Sequence, residues 1–86
     1  MLKFEWDENK RQVNIEKHGI DFEDVNELFN NKPLVFVSPN KCVEERFIAI
    51  GKIKDVVVTV IFTPRKNNIR IISIRKARKN ERKLII

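Results

Sequence analysis

Residues 46–76 read RFIAIGKIKDVVVTVIFTPRKNNIRIISIRK. Three runs rich in β-branched residues are separated by two turn signals, which is the pattern of consecutive strands. Lys54-Asp55 reads as a two-residue hairpin turn, and Pro64-Arg65-Lys66-Asn67-Asn68 as a five-residue loop. Strands are expected over residues 46–53, 56–63 and 69–76, joined as antiparallel hairpins because the connections are short. The turns fix a register. Ile53 faces Val56, Arg46 faces Thr63, Thr63 faces Ile69 and Val57 faces Arg75. One face then gathers Phe47, Ala49, Ile53, Val56, Val58, Val60, Phe62, Ile72 and Ile74, and should pack on helices. The other carries Arg46, Lys52, Thr59, Thr63, Ser73 and Arg75 among isoleucines, as in antiparallel sheets with one solvated side. A slip of one residue would invert the assignment.

The preceding sequence supplies the helices. Leu2, Phe4 and Trp6 alternate with Lys3 and Glu5, the period of a short strand. Asp7 is placed to cap a helix over residues 8–18 through the Asn9 and Lys10 amides, and Gly19 to close it in the left-handed region. Asp21 caps a second helix, with Phe22, Val25, Leu28 and Phe29 as one apolar stripe. Asn30-Asn31-Lys32-Pro33 ends it, a short strand covers residues 34–37, and residues 38–41 form a turn. The tail, residues 77–84, reads as a short basic helix containing Glu81. The chain is expected to be one α+β domain over residues 1–86: a short N-terminal strand and two helices on one face of a mainly antiparallel sheet, with a short C-terminal helix.

Charge is divided unevenly. Residues 1–45 hold 6 basic and 10 acidic side chains, whereas residues 46–86 hold 12 basic and 2 acidic. A basic half attracts polyanions, usually nucleic acid. Cys42 is the only cysteine, which excludes an intramolecular disulfide and a cysteine-based zinc site and suits a reducing cytoplasm. The N-terminus lacks the apolar core of a signal peptide, and the longest apolar run, residues 56–62, is too short to span a bilayer. No metal-site spacing, glycine-rich phosphate loop or cofactor motif occurs.

Several residues are candidates for chemistry. His18 is the only histidine, the side-chain type suited to proton transfer near neutrality. It reads as a general acid, a general base or a phosphate contact, or else as a helix-end residue bonded to a backbone carbonyl. Arg46, Arg65, Arg70 and Arg75 can bind phosphate or stabilise charge developing on it, or can guard a sheet edge against aggregation. Arg70 and Arg75 are an odd number of positions apart, which predicts opposite faces, while the register brings Lys52 near Arg75 and leaves Arg46 ~20 Å away. Phe4, Trp6 and Phe22 read as core rather than base-stacking residues. Glu44 and Glu45 read as a surface pair.

The segments Phe4-x-Trp6-Asp7-x-x-Lys10 and Asn14-x-x-Lys17-His18-Gly19-Ile20-x-Phe22 resemble the opening of BrnT-type toxins. Arg46-x-x-x-Ile50-Gly51, Thr63-x-Arg65 and Arg70-Ile71-Ile72-Ser73-x-Arg75-x-Ala77-x-x-x-Glu81 resemble the later motifs of that family. One departure is the absence of tyrosine: Phe62 and the ending Leu84-Ile85-Ile86 stand where relatives often carry one. The resemblance implies a ribonuclease toxin of a type II toxin–antitoxin pair, similar in fold to the RelE group. It also implies neutralisation by a BrnA-type ribbon-helix-helix antitoxin, which ties the complex to operator DNA. On that footing His18, Arg75, Arg46 and Lys10 are the expected catalytic residues of a metal-independent, cofactor-free endoribonuclease. Lys17, Lys52, Arg65, Ser73 and Arg70 are expected to bind the RNA substrate. The competing expectation is a non-catalytic module that binds nucleic acid or a partner and acts only as a co-repressor.

Overall fold

Helix α1, Glu8–His18, has both ends fixed locally. The Asp7 carboxylate accepts hydrogen bonds from the backbone N–H groups of Asn9 and Lys10 at 2.8 and 3.3 Å, so two of the orphan donors of the first turn are satisfied. At the other end Gly19 adopts φ 67°, and its N–H donates to the Ile15 carbonyl at 2.8 Å. A side chain there would be strained, which is why glycine stands at this position. The computed structural model describes residues 3–39 and 44–85. Leu2, the second half of the expected turn at residues 38–41, Cys42 and Ile86 lie outside those residues.

Among the described residues five strands form one sheet: β1 Lys3–Trp6, β2 Leu34–Val37, β3 Phe47–Ile53, β4 Val56–Arg65 and β5 Asn68–Lys76, in the order β1-β5-β4-β3-β2. Only β1 runs parallel to its neighbour, β5. The fold is α+β, with a mostly antiparallel sheet, as the pattern of runs and turns predicts. The first hairpin is the expected one, with Ile53 opposite Val56 and both Lys54 and Asp55 at positive φ (50° and 65°), a type I′ turn.

The second hairpin is tighter than expected. Pro64 and Arg65 belong to β4 and Asn68 to β5, so Lys66-Asn67 is a two-residue turn and Thr63 faces Arg70 rather than Ile69. Proline is tolerated because β3 begins at Phe47, opposite Phe62, and leaves β4 with one neighbour beyond that point. A second correction follows along the same pair. Phe62 faces Ile71 but Ile61 faces Ser73, so Ile72 is an inserted bulge residue. Ile71 therefore takes the core position expected of Ile72, and Arg75 faces Thr59 rather than Val57.

The core lies between the helices and one sheet face. The second helix is split into a 3-10 turn, Phe22–Asp24, and α2, Val25–Asn30, yet Phe22, Val25 and Leu28 all remain fully buried against Ala49, Ile53, Val58, Val60, Ile71 and Ile74. Gly51 permits this approach: a Cβ there would meet Leu28 Cγ and Pro33 Cβ at 3.2 Å. Trp6 packs edge-on to Phe22 at 6.0 Å, and Phe29 sits between Phe4 and Phe62 at 5.3 and 5.4 Å. These aromatic residues are core.

The opposite face is not left to solvent. The C-terminal helix α3, Lys79–Arg82, and the turn Lys83–Ile85 fold back over it. Thr59 donates its hydroxyl to Glu81, and Ile85 shares a cavity wall with Ile50; Thr59 and Ile50 are both 0% exposed. Strand β2 forms the far edge, with all four of its residues exposed. Among the described residues no helix is long and apolar enough to cross a membrane.

Candidate functional site

Strand β1 pairs with β5 only as far as Trp6 opposite Ile71. There Asp7 turns the chain into α1, and the helix rather than a strand lies beside residues 72–76 of β5. A single side chain closes the join. Asn14, 6% exposed, accepts the Ile74 N–H through Oδ1 at 3.2 Å and donates from Nδ2 to the Ile20 carbonyl at 3.0 Å. Both would otherwise be buried polar groups without partners. Arg11 adds a fork onto Asp21, with 2.7 and 2.9 Å contacts, that holds α1 to the following turn.

Lys10, Lys17 and His18 lie three or four positions from Asn14, on the helix face that carries it. Two cavities open along the seam. One, of about 310 Å³, is lined by Lys10, Lys17 and His18 of α1 with Ser73 of β5. The other, of about 240 Å³, is lined by Lys17 and His18 with Arg75, Lys76 and Arg78. Lys17 and His18 belong to both, so the seam is one continuous basic cleft.

Arg75 is not a bare cation. Its Nη1 and Nη2 donate to the two oxygens of Glu81 at 2.7 and 2.9 Å, a paired fork between largely covered side chains. Glu81 accepts further from Thr59 Oγ1 at 3.1 Å and the Arg78 N–H at 2.7 Å. The Arg75 guanidinium is the chief reason the Glu81 carboxyl is held down at about 2, and Glu81 in turn raises the pKa of Arg75. The unpaired positive charge of the cleft comes from Lys10, Lys17, Lys76 and Arg78, none of which has an ion-pair partner among the described residues.

The remaining expected residues lie elsewhere. The bulge at Ile72 puts Arg70 on the same face as Arg75, contrary to the parity argument, but Arg70 is bound to Glu5 at 2.8 Å. Asn68 and Arg70 together lower the pKa of the Glu5 carboxyl. Arg65 pairs with Glu44 at 3.0 Å. Lys52 faces Val57 and lines a separate cavity with Ile85, so it does not meet Arg75. Arg46 lies just before β3; from strand spacings it is ~16 Å from Arg75. Its Nε is buried without a hydrogen-bond partner among the described residues.

Asn14 and Glu81 were not singled out for chemistry from the sequence. The signal for Glu81 is that it is the sole acid after Asp55. Asn14 shows as a polar residue four positions from both Lys10 and His18, where the buried side of the helix must fall. Among the described residues no three His, Cys, Asp or Glu side chains are placed to hold a metal ion. A family model described as "Ribonuclease toxin, BrnT, of type II toxin-antitoxin system" matches residues 6–81 of the chain. No curated protein matches it.

Proposed function

The chain belongs to the BrnT family of ribonuclease toxins of type II toxin–antitoxin systems, and from that premise we propose that it is a metal-independent endoribonuclease acting at the cleft between α1 and β5. The observation that carries this reading is the meeting of Lys10, Lys17 and His18 with Ser73 and Arg75 around shared cavities. A phosphate of single-stranded RNA enters the cleft and is held by Lys17, Arg78 and the Ser73 hydroxyl. His18 takes the proton of the neighbouring 2′-hydroxyl, whose oxygen attacks the phosphorus in line. The bond to the 5′-oxygen breaks, and Lys10 or Lys17 protonates that oxygen as it leaves. The products are a 2′,3′-cyclic phosphate and a 5′-hydroxyl end. Proton transfer of this kind contributes about two to four decades of rate. Arg75 keeps N–H groups beyond the two given to Glu81 and directs them at the charge building on phosphate.

In the cytoplasm the toxin is silenced by a BrnA-type ribbon-helix-helix antitoxin, which links the pair to operator DNA. RNA cleavage in vitro and growth arrest on expression test the assignment, with His18→Gln and Arg75→Ala beside wild type. Both variants should lose most activity. His18 is exposed, so His18→Gln should remain folded. Arg75→Ala also leaves Glu81 without its partner and is read beside Glu81→Gln, which shows the loss of the pair with the arginine retained. Full toxicity in both would remove these residues from the mechanism.

One observation favours the competing reading of a non-catalytic co-repressor: the neutralisation of Arg75 by Glu81. That reading predicts salt-sensitive RNA binding with no product.

A further inference from the structure

The cleft continues past His18 into a third cavity of about 300 Å³, bounded by Ile20, Ile53, Val56 and Val58 and by the charged pair Asp24 and Lys54. His18 lines all three cavities, and Lys76 lines this one and the Arg75 cavity. The walls are of a different kind from those of the cleft. Four aliphatic side chains line it beside the β3–β4 hairpin, and with Lys54, Lys76 and His18 it holds Asp24, the one acid among the residues lining the three cavities. Asp24 Oδ2 lies 3.7 Å from Lys54 Nζ, and its carboxylate accepts no hydrogen bond from the described residues.

A phosphate gains nothing from aliphatic walls, and the Asp24 carboxylate offsets part of the pull of Lys54 and Lys76 on it. A nucleobase has two apolar faces and a hydrogen-bonding edge, which is the complement of this cavity. The volume is at the lower end of small-ligand pockets, about 300–1,000 Å³, and suits a single base. It meets the phosphate-binding cleft at His18, which lines both.

We propose that this cavity receives the base of a nucleotide flanking the cleaved bond, and that Asp24 with Lys54 selects guanine. The inference rests on the ribonuclease reading for its role, though not for binding itself. A carboxylate is acceptor-only and takes two parallel donors. Guanine alone among the four bases presents two adjacent donors, N1–H and the N2 amine, beside an acceptor, O6. The donors meet Asp24, and O6 meets the Lys54 ammonium. Adenine and cytosine each set a ring-nitrogen acceptor beside their amine, and uracil has one N–H between two carbonyls. Each of these leaves an acceptor facing the carboxylate or a carboxylate oxygen desolvated without a donor.

Titration with 3′-monophosphates of guanosine, inosine, adenosine, cytidine and uridine tests this, followed by NMR at the Gly19, Ile20 and Ile53 amides. Guanosine should bind at least about tenfold tighter than adenosine, the scale of one good bidentate contact. Inosine, which lacks the N2 amine, should fall between them. Asp24→Asn should bring the purines within about threefold of each other, whereas Glu16→Gln, which removes the same charge from the outer side of α1, should leave the guanine preference intact. In parallel, cleavage is measured on RNAs carrying each base on either side of one bond, and guanine should be preferred on one side. Equal binding of the nucleotides, or a guanine preference kept by Asp24→Asn, overturns the base site. Cleavage with no base preference overturns it too and leaves the ribonuclease standing. Guanine-selective binding with no cleavage of any RNA refutes the ribonuclease and leaves the base site.

Discussion

Replacing Glu81 by glutamine should remove a calculable pH dependence from the stability of the protein. The folded carboxyl is held at about 2 against an ordinary value of 4.5. At 1.36 kcal/mol per unit, that difference is at most about 3 kcal/mol of stabilisation. The side chains of Arg75 and Glu81 are 24% and 14% exposed. Water therefore screens part of the attraction, and about 2 kcal/mol is expected. The sign is set by the direction of the shift: folding lowers the carboxyl's pKa. The contribution is thus complete above pH 4.5 and is lost as pH falls towards about 2. Glutamine keeps the shape and an acceptor for Thr59 but has no charge to lose. Glu81→Gln should therefore be less stable than wild type by about 2 kcal/mol at pH 7, and the gap should close between pH 4.5 and 2. Urea unfolding followed by fluorescence of the sole tryptophan, Trp6, which packs against the core, measures this at each pH. With a slope of about 1–3 kcal/mol per molar urea, the midpoint at pH 7 should move by about 1 M. A gap of the same size at pH 7 and pH 2.5 would show that the pairing of Arg75 with Glu81 adds no charge-dependent stability.

Asn14→Ala leaves the Ile74 N–H and the Ile20 carbonyl without partners, and should cost about 2–3 kcal/mol in urea unfolding. Because it also unmoors α1, it should lower RNA cleavage even where the protein remains folded. Lys54→Asn with Asp55→Gly suits a turn whose residues both have positive φ, and should stabilise by about 0.5–1 kcal/mol, read as a higher thermal midpoint. Lys10→Ala and Lys17→Ala should each reduce the slope of log affinity against log salt by about 0.7 for single-stranded RNA. Arg65→Ala, removed from the cleft and paired with Glu44, should leave that slope nearly unchanged.

The parts of the fold written in short-range chemistry were legible. The bounds of α1 followed from Asp7 and Gly19, and the first hairpin from Lys54-Asp55, because a cap and a two-residue turn act within four residues. The second hairpin was misplaced because Pro64 looks like a loop residue until β3 is known to stop short of it. The bulge carries no glycine or proline, so nothing local marks Ile72 as the inserted residue. It alone decides that Ile71 is buried and that Arg70 shares a face with Arg75. The candidate residues that meet, Lys10, Lys17, His18, Ser73 and Arg75, come from two elements whose contact is long-range. Their residue types were readable, but their convergence was not. The pairing of Arg75 with Glu81 depended on the tail folding over a sheet face that composition suggested was wet.

The cleft exists because β1 is only four residues long. Had the chain continued as a strand, Ile74 would give its N–H to an ordinary neighbour and the space now occupied by Lys10, Lys17 and His18 would be closed. Strand β1 thus works as a ruler. Two more residues before Asp7 would advance the start of α1 by about 6.6 Å along β5, sliding each basic side chain past its opposite number while every one of them stayed in the sequence. Such a protein would keep its core, its caps and its full complement of arginines and lysines, yet have no cleft. Scanning by substitution would miss this determinant, and a short series of insertions and deletions at residue 6 or 7 would find it.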